Sequence, residues 1–114
     1  DSFAEKLVVM QIETAGAVAE LDDFLAIEEI DAFFVGPVDL AKSFGHGGDF
    51  RVPTVMAVLD RTISRIAAAG RSAGMLVTAA DVGAWQAKGA TLLYNHLNEY
   101  ALLGAEAFGS AASR

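Results

Sequence analysis

The chain has 114 residues, 54% of them apolar and 20% charged, with a formal net charge of −7. That length is one domain or less, burying roughly two-thirds of its unfolded surface, and the composition excludes a disordered chain. The acidic balance argues against nucleic acid and anionic membrane as partners, and the lack of cysteine removes disulfides, thiolate metal sites and thiol nucleophiles.

No run approaches the roughly 18 apolar residues of a membrane span. The start, Asp1-Ser2-Phe3, has no initiator methionine and no basic segment leading into an apolar core, so no secretory signal is expected. A reducing, cytoplasmic setting is expected instead. Processing, tag removal or a fragment of a longer protein would each account for the missing methionine.

Leu7 to Ile12 is nearly continuous apolar sequence with two valines, the pattern of a strand buried on both faces in a parallel sheet. Thr14 is placed to cap the following segment, Ala15 to Ile27, where Val18, Leu21 and Leu25 recur at helical spacing. Ala32 to Val35 is a second strand, closed by Gly36-Pro37, and Val38 to Phe44 has room for one short helical turn. His46-Gly47-Gly48-Asp49 reads as a flexible loop. Pro53 suits the first turn of a helix that runs to about Ala69, with Val55, Val58, Leu59, Ile63 and Ile66 inward and Gly70 ending it.

Ala73 to Thr78 is a third strand. Asp81 caps a short helix through Trp85 to Lys88, which Gly89 stops. Thr91 to Asn95 is a fourth strand, Glu99 to about Ala107 a last helix, and Gly109 to Arg114 a fraying tail. Trp85 and Phe108 read as packing residues.

The order is therefore βα four times over, an α/β chain with a parallel sheet in one domain spanning residues 1–114. Four such units form either a small open doubly wound sheet or half of an eight-stranded barrel, and both gather ligands at the carboxyl ends of the strands. Periodicity does not choose between them.

Two carboxylates stand at such ends. Glu13 closes the first strand and Asp39 follows the Gly36-Pro37 turn after the second. Gln11, two residues before Glu13, shares its face of the strand. Each acid has a plainer reading: Glu13 as an exposed acid near a helix N-terminus, Asp39 as a cap of its own turn. Together they make a seat for a hard divalent cation, which uses one or two carboxylates and keeps waters for substrate oxygens to replace. His46, among glycines, reads as a surface histidine, whereas His96 lies where it would face the same mouth. Nucleophile-elbow, Walker-type and dinucleotide-binding patterns are absent from the sequence.

The pair Gln11-Ile12-Glu13-Thr14 and Gly36-Pro37-Val38-Asp39-Leu40, with Ile30-Asp31-Ala32 leading in, resembles the HpcH/HpaI aldolase family. The resemblance runs from about Leu7 through Gly89, and the Ala68-Ala69-Gly70 and Ala73-Gly74 turns agree with it. It implies a (β/α)₈ barrel of about 250 residues, of which this chain would be the C-terminal half. It also implies Mg²⁺ or Mn²⁺, with Co²⁺ as a further candidate, held by Glu13 and Asp39. Gln11 would lie beside bound pyruvate or another 2-oxo acid, the backbone N–H groups of Val38 and Asp39 would meet its carboxylate, and Leu76 would line its apolar side.

The implied reaction is cleavage of a 4-hydroxy-2-oxo acid to pyruvate and an aldehyde. The family's histidine base, its aspartate partner and its arginine come from the N-terminal half, so no catalytic residue is assigned within this chain. Leu93-Tyr94-Asn95-His96-Leu97-Asn98 departs from the family pattern, and His96 takes no role by resemblance. A half barrel has open edges that invite pairing, so a second copy or a separate N-terminal half is the expected partner. The alternatives are a citrate-lyase-type acyl-thioester lyase and a catalytically silent module that keeps the metal and oxo-acid seat.

Overall fold

Short apolar runs bounded by Gly, Pro and Asp stop after four or five residues, and four of them pair side by side. A computed structural model describes residues 6–113; the Asp1-Ser2-Phe3 start and Arg114 lie outside the described residues. The strands are β1 (Val9–Ile12), β2 (Ala32–Val35), β3 (Ser72–Leu76) and β4 (Ala90–Tyr94). All neighbours are parallel, in the spatial order β1-β2-β3-β4. Each strand lies beside the next in sequence and the order never reverses. A doubly wound sheet reverses at a switch point, so the order is that of half a (β/α)₈ barrel.

The helices between and after the strands are α1 (Ala15–Ala19), α2 (Leu21–Leu25), α3 (Pro37–Ser43), α4 (Pro53–Ala68), α5 (Val82–Ala87) and α6 (Leu97–Ala112). The core lies between the sheet and α4. Ile12, Phe33, Val35, Ala73 and Met75 point from the sheet into it, and Val55, Leu59, Ile63 and Ile66 come down from α4, all essentially without exposure. Thr62, buried on the same helix, donates its hydroxyl to the Val58 carbonyl at 2.8 Å, satisfying a group that would be costly unpaired. Trp85 packs from α5 as expected.

Arg71 clamps the floor of the sheet. Its guanidinium donates to the carbonyls of Leu25 (2.6 Å), Ile27 (3.1 Å) and Ile30 and lies 5.2 Å from the Phe33 ring centroid. The planar fork of donors lets one side chain collect the carbonyls that end α2 and lead into β2.

Several sequence expectations differ from the structure. The first strand begins at Val9 and is covered on one face only; Leu7 and Val8 precede it, exposed. The segment Ala15 to Ile27 breaks at Glu20, which ends α1 and starts α2 with φ −96° and ψ 15°. Leu21, the first residue of α2, lies fully in the core. Asp81 does not cap α5 with its side chain; Oδ1 instead accepts from the Thr78 N–H at 2.6 Å and closes the preceding turn. Finally, α6 continues through Gly104 and Gly109 to Ala112, where a fraying tail was expected, and Phe108 is solvent-facing. None of the residues of α6 is buried. Among the described residues no helix is long and apolar enough to cross a membrane.

Gly70 and Gly89 end α4 and α5 with φ of +73° and +104°. A Cβ at Gly70 would meet nothing, but one at Gly89 would stand 2.5 Å from the Ala67 Cβ. Gly70→Ala therefore carries only the left-handed backbone cost of about 1–2 kcal/mol. Gly89→Ala adds an overlap of about 1–3 kcal/mol, and urea unfolding is expected to rank it clearly the less stable of the two.

Candidate functional site

Strand alternation divides the sheet. Phe33 and Val35 face the helices, so Phe34 faces the opposite, inner side, and register places Gln11 and Gly74 in the same row. One step nearer the carboxyl ends lie Glu13, Gly36, Leu76 and Tyr94; Leu76 and Tyr94 are register partners, and the Gly36 N–H donates to the Ile12 carbonyl at 3.0 Å. These residues line the mouth.

Gly36 is the pivot of the mouth. A Cβ built on it would stand 3.1 Å from the Glu13 Cβ, 3.3 Å from Glu13 Oε2 and 3.8 Å from Gln11 Nε2. Its φ of −88° is open to any residue, so the glycine matters here for the space it leaves and not for backbone conformation. The missing side chain leaves a recess against the half-buried Glu13 carboxylate, with the Gln11 amide at its edge.

Gly36 is also the N-cap of α3, with Pro37 in the first turn and no side chain capping it. The first intrahelical bond runs from the Leu40 N–H to the Gly36 carbonyl at 3.0 Å, so the N–H groups of Val38 and Asp39 precede the ladder and have no acceptor within it. Asp39 occupies the same first turn, and the Ser43 Oγ accepts from the Ala15 N–H at 2.9 Å, tying α3 to the start of α1.

Asp39 does not cap the turn with its side chain. It pairs with Lys42 Nζ at 2.9 Å, and both side chains are 58% exposed. A pair so exposed contributes about 0–1 kcal/mol, little resistance to a divalent cation competing for the carboxylate. Among the described residues no group of three or more acids, histidines or cysteines is arranged to hold a metal. The Glu13 carboxylate lies against Gly36, and the Asp39 carboxylate, in the first turn of α3, is turned to Lys42; each is the kind of oxygen donor a hard cation takes.

The other candidates fall in different places. Leu76 ends β3, half-buried in the mouth layer, and Val38 is partly exposed on α3. His46 is in the loop after α3, exposed, with Nε2 3.2 Å from Thr54 Oγ1 on α4. His96 is the N-cap residue of α6, its Nδ1 3.2 Å from the Tyr94 hydroxyl. A cavity of about 240 Å³ lies under α6, lined by Val77, Thr78, Val82, Leu93, Tyr94 and Tyr100 among others. Its lining holds neither acid of the mouth, and the site is placed by chemistry, not by volume. Lys42 and Tyr94 were not singled out from the sequence; the i,i+3 spacing of Asp39 and Lys42 on a short helix is the signal for the first.

The model of the HpcH/HpaI aldolase/citrate lyase family matches residues 2–96. A hydroxypyruvate/pyruvate aldolase of Agrobacterium fabrum is 44% identical over 69 residues, covering 60% of this chain and 26% of that protein. A 2-keto-3-deoxy-L-rhamnonate aldolase of Escherichia coli is 39% identical over 75 residues, covering 66% and 28%. Among solved structures, an HpcH/HpaI aldolase/citrate lyase family protein of Burkholderia cenocepacia superposes with a TM-score of 0.85 at 28% identity. It covers 97% of this chain and 44% of the solved one. The matched region is thus little more than a quarter of each curated relative, and the chain spans under half of the solved barrel.

Proposed function

The chain belongs to the HpcH/HpaI aldolase/citrate lyase family, and from that premise we propose that it supplies the metal- and oxo-acid-binding half of a carbon–carbon lyase. The substrate would be a 4-hydroxy-2-oxo acid, cleaved to pyruvate and an aldehyde. The observation that carries this reading is the Glu13 carboxylate set against the side-chain-free Gly36, which also begins α3 with Asp39 in its first turn.

In this reading Glu13 and Asp39 hold Mg²⁺, Mn²⁺ or Co²⁺, with Lys42 released from Asp39. Bound there, the cation supplies Lewis acidity to the ketone oxygen of the 2-oxo acid. The free N–H groups of Val38 and Asp39 receive the substrate carboxylate, a role that helix first turns favour. Gln11 donates from Nε2 at the edge of the recess, and Leu76 provides an apolar wall for the carbon chain.

General-base catalysis is typically worth 10²–10⁴ in rate, and in this reading the base is contributed by the barrel's other half. The inner face of this half is open, with Val9, Gln11 and Tyr94 all exposed. The edges of β1 and β4 have no strand partner among the described residues. An N-terminal half, in the same protein or another, or a second copy would cover them.

Calorimetry with Mn²⁺ and pyruvate, with light scattering for mass, tests the proposal. Pyruvate is expected to bind only when Mn²⁺ is present, and both Glu13→Ala and Asp39→Ala are expected to lose that binding while remaining folded. Metal-independent pyruvate binding, or binding unchanged in both variants, would overturn it. Metal-dependent binding with no turnover of a 4-hydroxy-2-oxo acid, even with the barrel completed, would favour the silent module.

A further inference from the structure

Tyr94 is placed for chemistry that packing does not require. It ends β4 on the inner face, in the same mouth layer as Glu13, Gly36 and Leu76. Its ring is held edge-on between two others, with centroids 6.0 Å from Phe34 and 5.1 Å from His96. Phe34 can reach it because Gly74 lies between them: a Cβ there would come within 2.7 Å of Phe34 Cδ2. The hydroxyl is 3.2 Å from His96 Nδ1, yet Tyr94 stays 47% exposed. An aromatic ring fixed on two sides and open on the third presents its hydroxyl at a set position.

That position lies across the mouth from the cation seat. Glu13 and Tyr94 are three strands apart, about 14 Å along the sheet, and the curvature of a barrel turns their side chains toward a common space. In the proposed reading a 2-oxo acid held at Glu13 and Asp39 would run its carbon chain past Leu76, the register partner of Tyr94, which would bring an oxygen at its far end toward the Tyr94 hydroxyl.

On the reading that the mouth binds a 2-oxo acid, we infer that Tyr94 is a further substrate-binding residue, with its hydroxyl bonded to the C4 oxygen and with His96 as its positioning residue. His96 Nδ1 and the phenol share one proton position, and either can be donor. The pair therefore adapts to a hydroxyl or to the carbonyl of a departing aldehyde. This selects for hydroxylated over plain 2-oxo acids, a selectivity that the cation seat alone, gripping only the oxo-acid end, cannot provide.

Calorimetry with three probes, each in the presence of Mn²⁺, tests this: pyruvate, 2-oxobutanoate and 4-hydroxy-2-oxobutanoate. The chain is expected to prefer the hydroxylated acid over 2-oxobutanoate by about three- to tenfold, the range of one net hydrogen bond. Tyr94→Phe, which keeps both ring contacts, should erase that preference and leave pyruvate affinity unchanged. His96→Leu should reduce it and His96→Gln, which keeps a polar partner, should restore it. A preference that survives Tyr94→Phe, no preference in the unsubstituted chain, or an equal fall for pyruvate would each overturn the inference while the cation seat stands. Failure of pyruvate itself to bind with Mn²⁺ in the unsubstituted chain would instead remove the seat, and the inference with it.

Discussion

Phe33→Ala is expected to lower the unfolding free energy by about 3–5 kcal/mol, against about 5–15 kcal/mol for a whole domain. Phe33 has no exposed surface and is among the largest fully buried side chains. Its ring fills the space between β2 and the helix layer and also supports the Arg71 guanidinium. Truncation leaves a cavity and loosens the clamp that joins α2 to β2. Urea unfolding reads the effect as a shift in midpoint at constant slope. A change below about 1 kcal/mol, smaller than any typical aromatic truncation in a core, would mean that the core is not packed as described.

Gly36→Ala is expected to do the reverse, sparing stability and removing function. The backbone at φ −88° accepts alanine, and the loss of unfolded-state freedom stabilises by about 0.4–1 kcal/mol, which offsets the crowding. The new methyl, 3.1–3.3 Å from Glu13, pushes the carboxylate out of line and fills the recess. Displacing a metal ligand by its surroundings typically costs 10–100-fold in affinity, and a loss of about tenfold or more for Mn²⁺ is expected at nearly unchanged thermal stability. Unchanged Mn²⁺ affinity would show that Glu13 is not a ligand in the position described.

Much of this architecture was legible in the order of residues because each signal was local. Ala32 to Val35 is apolar and ends at Gly36-Pro37, which leaves a strand followed by a helix start as the consistent reading. The stripe Val55, Leu59, Ile63 and Ile66 fixes the buried face of α4. Glu13 and Asp39 stood out because each is the first acid after such a strand. The break at Glu20 was hidden because the apolar spacing of Val18, Leu21 and Leu25 continues across it. The length of α6 was hidden because Gly104 and Gly109 lower helix propensity and its apolar residues give no one-sided stripe that tells where it ends.

Tyr94 was hidden for a more specific reason. Ala73 pairs with Ala90, but Gly74 pairs with Leu92, so β4 carries one extra residue at Thr91. Counting by twos from the buried Ala90 would send Leu92 and Tyr94 toward the helices and Leu93 toward the mouth. The bulge reverses that, and the Ser72–Thr91 hydroxyl contact at 2.8 Å marks where it occurs. A bulge has no reliable signature in a single sequence, so the residues that face the mouth from β4 became visible only with the register.

The chain brings the Glu13 carboxylate and the Gln11 amide to the backbone at Gly36, and the proposed function adds Asp39 and the N–H groups of Val38 and Asp39 from the first turn of α3. Anomalous diffraction from a crystal of the chain soaked with Mn²⁺ tests the central claim most directly. The account predicts a peak beside Gly36 held by Glu13 and Asp39, with Lys42 moved away from Asp39. A Mn²⁺ peak elsewhere in a well-ordered crystal, with Asp39 still paired to Lys42 and the recess at Gly36 empty, would contradict it.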